Sequence, residues 1–327
     1  MNKKVALLVS ISSITALFGL FFAVTAGAKQ IPLKTVWDSI VHFESTIDME
    51  VVRNARIPRA LCTALVGGFL GICGAMMQGV TRNPIAEPSL MGISQGATLA
   101  VAFLYTSPTI YGLFGNTFAA FIGAIISGGL VLLFSIQNAR NMNISRLLLA
   151  GTAMSTFFIS IATVIALLTN HSQSLAFWVA GGFRSTSWNS VWLVAIVGVV
   201  CTVLAFLLAP RINIVNLGED VAIGLGENPM KVRIYTLLVI IPLSAVSVAV
   251  AGNIAFVGLI VPHIVRRVVG QDYRYIIPLS FLVGSTLLIW SDVAARLVNQ
   301  PYETPIGLFT SLIGVPFFLW MVRKERG

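Results

Sequence analysis

The sequence predicts an all-α, polytopic membrane protein, and two observations lead to that fold class. Of its 327 residues, 57% are hydrophobic and only 10% are charged, whereas a soluble domain has about 25% charged residues. The mean hydropathy is +0.90. The apolar residues also fall in runs of roughly 20, the length of a helix that crosses a bilayer.

Apolar runs between polar breaks predict about ten transmembrane helices in a single transmembrane domain, residues 1–327. The predicted spans are 5–27, 59–80, 91–106, 113–136, 145–168, 188–209, 233–252, 256–270, 274–297 and 306–322. The first span follows two lysines and could be taken for a secretion signal. Its apolar core is longer than that of a signal and many spans follow it, so we interpret it as a retained helix.

Two polar segments interrupt this pattern, at about 28–58 and 210–232. We expect the first to be external and the second to be cytoplasmic. The external segment contains LKTVWDSIVHF (33–43), whose apolar residues have helical spacing. This spacing predicts a short surface helix.

The basic residues predict the orientation of the chain. With a cytoplasmic N-terminus, 14 of the 21 Lys and Arg residues lie inside: Lys3, Lys4, Arg82, Arg140, Arg146, Arg211, Lys231, Arg233, Arg266, Arg267, Arg274, Arg323, Lys324 and Arg326. Because cytoplasmic loops of membrane proteins are enriched in Lys and Arg, this excess favours an even number of spans. We therefore expect a multi-pass protein of the cell membrane with both termini in the cytoplasm.

Several other functions are disfavoured by the sequence. The net charge of +9 comes from short loops between spans, without a basic and aromatic patch, so we expect no nucleic-acid partner. Cys62, Cys73 and Cys201 lie in apolar spans without CxxC spacing, which is typical of buried small hydrophobes. No lysine directly follows a glycine, so the chain has no Walker A motif. We therefore expect a chain that is not an enzyme and binds no cofactor.

The motifs identify a family resemblance. RIPR (56–59) and NPIAEP (83–88) flank an apolar, glycine-rich span. In order, the later blocks are SRLLLAGTAMS (145–155), FWVAGGF (177–183), GEDVAIGLG (218–226), AGNIAFVGLIVPHIVRRVVG (251–270), SDVAARL (291–297) and ETPIGLFTSLIGVPFFLWMV (303–322). Together they resemble FecCD-type permeases, the membrane subunits of iron–siderophore, heme and vitamin B12 ABC importers. The resemblance implies a type II importer permease with ten helices per protomer and two protomers around a central pathway.

The resemblance assigns a docking role to three external arginines. Arg56, Arg59 and Arg296 match family positions that form an outward-facing basic pocket for acidic residues of a substrate-binding protein. Charge-assisted contacts of this kind steer and orient docking. Two alternatives remain open: Asp292 and Arg296 have the i,i+4 spacing of an intrahelical pair, and Arg59 could extend towards the membrane surface from its helix.

The cytoplasmic loop is predicted to couple the chain to an ATPase. Its pattern reads as a short helix followed by a turn, and so short a helix needs a docking partner to be stable. In the resembling family this segment sits in a cleft of the ATPase subunit. We assign coupling to Gly218, Glu219, Ala222, Gly224, Leu225, Gly226 and Glu227. Gly224 and Gly226 would permit the turn, and Ala222 and Leu225 would offer an apolar face; the alternative is a solvated loop.

Asn83 and Ser145 match approximate gate positions at the cytoplasmic ends of the second and fifth spans. Asn83 precedes a proline, which favours a hinge, although either residue could simply cap a helix. We expect Glu87 to accept hydrogen bonds from backbone donors where the third helix begins. His42 and His171 have no partners at metal-ligand spacing, and a lone histidine such as His263 is more often a packing or hydrogen-bonding residue than a heme or iron ligand, so we assign no metal site.

The sequence thus favours a permease that passes an iron chelate, chiefly a ferric siderophore, from a binding protein to the cytoplasm. The expected partners are two cytoplasmic ATPase subunits that bind ATP and Mg, an extracellular or periplasmic substrate-binding protein, the lipid bilayer and a second permease protomer. That protomer could be identical or related. Heme or cobalamin are alternative cargoes. An ion-coupled secondary transporter is the rival mechanism, but it usually needs ionisable residues within the spans.

Overall fold

The computed structural model describes residues 3–27, 29–106, 108–136, 144–184 and 186–325, and this part of the chain is helical without a strand. Arg140 and Arg326, which are counted above among the cytoplasmic basic residues, lie outside the described part of the chain. The helices are α1 (Lys3–Thr25), α2 (Leu33–Val41), α3 (Ile47–Val51), α4 (Ile57–Thr81), α5 (Ile93–Leu104), α6 (Pro108–Ile136), α7 (Ile144–Leu168), α8 (Ser172–Ala180), α9 (Trp188–Asn216), α10 (Glu219–Gly224), α11 (Pro229–Ala251), α12 (Val257–Val269), α13 (Tyr273–Leu297) and α14 (Ile306–Glu325).

Each of the ten predicted spans coincides with a helix of the described residues: α1, α4–α7, α9 and α11–α14. Seven of them are long and apolar enough to cross a membrane, and α5 and α14 are shorter apolar helices. A π-helical turn at Val52–Arg56 joins α3 to α4, so one helix runs continuously over Ile47–Thr81. The predicted surface helix is also present, as α2. We call the end of the bundle that carries α10 the inner end, and the opposite end the outer end.

The centre of the bundle is α4, which packs closely against α12 and α13. Its glycines allow this approach: a Cβ atom at Gly71 would lie 2.2 Å from the carbonyl oxygen of Ser280, and one at Gly67 would lie 2.4 Å from that of Gly284. Small residues let helix backbones approach in this way, and in a bilayer this packing is a main source of helix association. The glycine pattern of the second span therefore serves packing.

We expect Gly74→Ala to destabilise the bundle by about 3 kcal/mol or more, the upper range for overpacking a core. A Cβ atom at Gly74 would lie 1.9 Å from the carbonyl oxygen of Gly258 and 2.5 Å from its Cα, and a backbone cannot rotate away as a side chain can. Unfolding of the purified protein by denaturing detergent would measure the change. Gly129→Ala is the matched control, because a Cβ at that helical position would meet no described atom within 4 Å beyond the backbone of its own helix. Equal stability of the two variants would contradict the prediction.

Candidate functional site

At the outer end, buried arginines bind the last carbonyls of α1. Arg56 Nη1 donates hydrogen bonds to the carbonyl oxygens of Val24 (3.0 Å) and Thr25 (2.7 Å), and its Nη2 donates to that of Lys29. The last carbonyls of a helix have no partners within the helix, so cationic side chains there supply donors and oppose the helix dipole. Arg56 therefore fixes the end of α1 on the start of α4.

Arg296 binds the same helix end from α13. Its Nη1 donates to the carbonyl oxygens of Ala23 (2.9 Å) and Ala26 (3.0 Å), and its Nη2 lies 3.0 Å from Asp292 Oδ2. The pairing of Asp292 with Arg296, which the i,i+4 spacing left open, is thus confirmed. α1 is consequently held by two arginines from two different helices.

Asp292 also binds Arg59. The Nη2 and Nε atoms of Arg59 lie 2.9 and 3.1 Å from Asp292 Oδ1, and its Nη1 lies 2.6 Å from Glu303 Oε1. Asp292 is 1% exposed and stands between two arginines. This buried carboxylate compensates both charges and links α4 to α13.

The three arginines that are expected to form an outward-facing basic pocket are bound to acceptors of the same chain in this structure. The side chains of Arg59 and Arg296 are only 12% and 7% exposed, and Arg56 is also buried. Each guanidinium group is bound to carboxylates or backbone carbonyls of the same chain. Except for Asp292 beside Arg296, these acceptors lie far away along the chain, so the sequence around each arginine does not reveal them. An acidic partner would have to compete with these internal acceptors.

At the inner end, α10 is a six-residue helix held against α9 and α11. Arg233 Nη2 lies 2.6 Å from Glu219 Oε1, and Arg211 Nε lies 3.6 Å from Glu227 Oε1. The backbone turns at Gly218 (φ 132°) and Gly226 (φ 81°), where the left-handed conformation favours glycine. Ion pairs and turns thus fix a helix that would be too short to persist alone.

Two details of the predicted coupling segment are corrected. Ala222 is completely buried and cannot belong to an exposed face. Gly224 is helical with open space at its Cβ position, so the turn does not require it. The exposed apolar side chains at α10 are those of Leu217, Val221, Ile223 and Leu225. These four side chains, here called the α10 face, are each at least 48% exposed in the described part of the chain.

A cavity of about 660 Å³ lies at the inner end, between the ends of α4, α9, α12 and α14. Asn83, one of the predicted gate residues, lines it, and its Oδ1 accepts a hydrogen bond from the backbone N–H of Ile85 (3.0 Å). The other, Ser145, lies in α7, but its side chain is outside the described part of the chain. Gate function therefore stays a prediction for both residues.

Glu87 joins two loops that lie far apart in sequence. Its Oε1 accepts a hydrogen bond from the backbone N–H of Phe256 (2.6 Å), directly before α12. Glu87 does bind a backbone donor, but at the start of α12 rather than at the entry of the third predicted helix. It therefore links the loops that precede two short helices, α5 and α12.

A second cavity, of about 580 Å³, opens at the outer end between α5, α6, α8 and α11. Its wall includes the stacked rings of Tyr105 and His171, 4.5 Å between centroids, and Arg184, whose guanidinium carbon lies 3.8 Å from the ring centre of Phe177. The sequence did not predict this group. FWVAGGF was the available signal, since it begins with Phe177 and ends directly before Arg184.

Asp272, in the turn between α12 and α13, predicts a pH effect at the inner end. Its side chain accepts hydrogen bonds from Arg274 and from Asn213 Nδ2 (2.7 Å), and the Arg274 contact is the main reason why its pKa falls to about 2. A depressed folded-state pKa gives stability that is present above the ordinary value near 3.8 and lost as pH falls towards 2. We expect Asp272→Asn, which still caps the helix, to flatten the stability profile between those values. Identical acid-unfolding profiles of the two proteins would contradict this.

Residues 3–27, 29–106, 108–136, 144–184 and 186–325 contain no cluster of three or more His, Cys, Asp or Glu side chains that could hold a metal ion. The fold and these surfaces define a class: a polytopic helical membrane protein with cavities at both ends and a docked inner helix. Residues 15–324 match the FecCD transport family, and the chain belongs to that family.

Individual relatives cover most of the chain. It is 42% identical over 309 residues to the iron(3+)-hydroxamate import system permease protein FhuB of Bacillus subtilis, covering 94% of this chain and 80% of that protein. It is 36% identical to the Fe(3+)-citrate import system permease protein YfmD of the same organism, covering 97% and 94%. A solved structure assigned as an inward-facing metal-chelate type ABC transporter superposes with a TM-score of 0.83 at 25% identity, covering 98% of this chain and 99% of that one.

Proposed function

We propose that this chain is the membrane permease subunit of an ATP-driven importer that takes up a ferric chelate. The observation that carries the proposal is the α10 face, an apolar surface on a helix fixed by ion pairs at the inner end. A rigid helix with exposed apolar side chains is suited to insertion into a groove on a partner. The family match supports an ATPase as that partner.

The proposed assembly contains two permease protomers, two cytoplasmic ATPase subunits and an external binding protein. ATP and Mg bind to the ATPase subunits, since this sequence has no Walker A motif, and the permease itself is not an enzyme. The protein lies in the cell membrane with both termini in the cytoplasm. Substrate would pass between the protomers, and the α10 face would transmit the ATPase movement.

A ferric siderophore is the proposed cargo. The similar proteins of Bacillus subtilis are named for import of iron(3+) hydroxamate and of Fe(3+) citrate, which share ferric iron held by oxygen ligands. Heme and cobalamin are the alternatives within the same mechanism. The binding protein would select among them, so its ligand is the decisive measurement.

The ion-coupled alternative receives no support from the two carboxylates that lie near the ends of the predicted spans. Asp292 compensates two arginines, and Glu87 accepts a backbone hydrogen bond. Both carboxylates are therefore bound by groups of the protein itself, whereas a transporter driven by protons would need a carboxylate that exchanges protons during transport.

The test of this function is to purify the chain gently from iron-starved cells and identify its companions. We expect an ATPase and a substrate-binding protein, and the ligand of the binding protein would identify the cargo. A chain that purifies alone and carries ion-driven flux in vesicles without ATP would refute the proposal.

Docking at the outer arginines can be tested by increasing their availability. Glu303 is partly exposed and occupies Arg59 at 2.6 Å, so Glu303→Gln should leave Arg59 more available to an acidic partner. If Arg59 is a docking cation, the affinity of the binding protein should rise about two- to fivefold at low salt, the range of one exposed ion pair. Binding of the labelled protein to the permease in nanodiscs would measure it.

Glu44→Gln is the matched control for that experiment. Glu44 is an exposed carboxylate of the external segment, and among the described residues it forms no ion pair. Removing it changes the net charge equally without affecting Arg59. Equal gains in both variants would indicate general attraction only, and no gain in Glu303→Gln would remove Arg59 from the docking site.

A further inference from the structure

The inner cavity is strongly basic. Arg82, Arg266 and Arg267 line it, together with the amide side chains of Asn83, Asn216 and Gln271, and none of the described Asp or Glu side chains does so. Guanidinium and amide N–H groups are hydrogen-bond donors. The wall therefore offers many donors and several positive charges to whatever occupies the cavity.

The charges of Arg266 and Arg267 are not compensated by described carboxylates. Arg266 donates a hydrogen bond to Gln78 Oε1, and the guanidinium carbon of Arg267 lies 4.5 Å from the ring centre of Trp320. Neither has a carboxylate oxygen within 4.0 Å in the described part of the chain. This contrasts with the outer arginines, which are bound to Asp292 and Glu303.

Arg82 is only weakly compensated. Its Nη2 lies 4.0 Å from Glu219 Oε1, the same oxygen that Arg233 binds at 2.6 Å. The basic wall of the cavity therefore reaches α10 through Arg82. An anion in the cavity would compete with Glu219 for Arg82 while Arg233 kept α10 in place.

Helix electrostatics explain only part of this arrangement. Arg266 and Arg267 lie in the last turn of α12, where cations are favoured by the helix dipole. The helix dipole does not explain why a third arginine, from the end of another helix, and several amide side chains line the same cavity of about 660 Å³. The convergence of donors from several helices points to a bound anion.

We propose that this cavity binds a phosphate-type anion, supplied by the headgroup of an anionic phospholipid of the inner leaflet. Basic pockets between helices on the cytoplasmic side are suited to such headgroups. Trp320 lines the cavity, and Leu319 and Ile264 beside it are exposed, so an apolar surface is adjacent for the acyl chains. The stacked Arg267 and Trp320 would lie at the level of the headgroups, where both residue types are favoured. This inference does not depend on the identity of the cargo.

Native mass spectrometry of the purified full-length chain with added phosphatidylglycerol or phosphatidylcholine tests the proposal. We expect preferential retention of phosphatidylglycerol and a loss of roughly 30-fold in its affinity for the double variant R266Q/R267Q. That figure follows from a gain of roughly fivefold per basic residue near an anionic surface. Equal retention of the two lipids by the unmodified protein would overturn the proposal.

The double variant R211Q/R274Q is the matched control. It removes the same charge from the same end of the bundle, and both arginines are exposed and do not line the cavity. We expect its affinity for phosphatidylglycerol to stay within about twofold of the unmodified protein, because screened surface charges contribute little. An equal loss in both double variants would show attraction to the surface as a whole and refute a site.

Competition with excess inorganic phosphate distinguishes the two sources of the anion. Retention of the lipid assigns the site to the phospholipid, whereas displacement, with binding of phosphate alone, assigns it to free phosphate. If R266Q/R267Q does not fold, Arg82→Gln provides the second test, since Arg82 is exposed at the C-terminal end of α4. A folded Arg82→Gln protein with unchanged affinity would then count against the site.

Discussion

Replacing Asp292 with asparagine is expected to lower the free energy of unfolding by about 3–5 kcal/mol, the usual result of removing one member of a buried ion pair. Asp292 is 1% exposed, and its two oxygens lie 2.9 and 3.0 Å from Arg59 and Arg296. Asparagine has nearly the same shape but no charge. Arg296 would then have no carboxylate partner, and Arg59 would keep only the more exposed Glu303.

The expected consequence extends to α1. Arg296 binds the last carbonyls of α1 and depends on Asp292 for its own position. Loss of the carboxylate should therefore loosen α1 from α13 before the rest of the bundle unfolds. Unfolding by denaturing detergent gives the stability, and proteolysis of the segment between α1 and α4 reports the loosening.

Glu303→Gln is the control for this experiment. It removes the other carboxylate of Arg59, but Glu303 is 39% exposed, so we expect a loss below about 1 kcal/mol. If Asp292→Asn were no more destabilising than Glu303→Gln, the ion pairs of Asp292 with Arg59 and Arg296 would not stabilise the fold in the way proposed.

Features that are determined within one short segment of the chain were predictable from the sequence. The spans were predictable because apolar composition and bilayer length act within one segment. The ion pair of Asp292 and Arg296 was also predictable, since the two residues lie four positions apart on one helix. Arg59 and Asp292 are 233 residues apart, so packing alone brings them together, and the sequence could not show that the predicted docking cations are internally bound.

The α10 segment shows the same limit on a smaller scale. A helical pattern places positions 222 and 225 on one face, which is why Ala222 and Leu225 were paired as an apolar surface. In the structure Ala222 is completely buried, whereas Leu225, the C-cap residue of α10, is 61% exposed. The existence of the segment was predictable, but which of its side chains are exposed depends on how α10 packs against the rest of the protein.

Ile223→Asp on the α10 face is expected to weaken association with the ATPase by roughly 30-fold or more, the effect of losing a central interface side chain. Ile223 is 63% exposed, so the substitution removes little buried area within the permease. It would bury a charge without a partner in the proposed cleft. Permease stability should change by less than about 0.5 kcal/mol, as for most surface substitutions.

Co-purification with the ATPase and ATP-dependent uptake in vesicles would measure the effect, and both should be lost together. Tyr275→Asp is the matched control, because Tyr275 is a large, exposed residue near the inner end of α13 and outside the α10 face. Loss of association in Ile223→Asp with normal association in the control would locate coupling at α10. Normal transport by a folded Ile223→Asp protein would instead mean that the ATPase engages another part of the inner surface, because a buried aspartate at the contact could not be tolerated without cost.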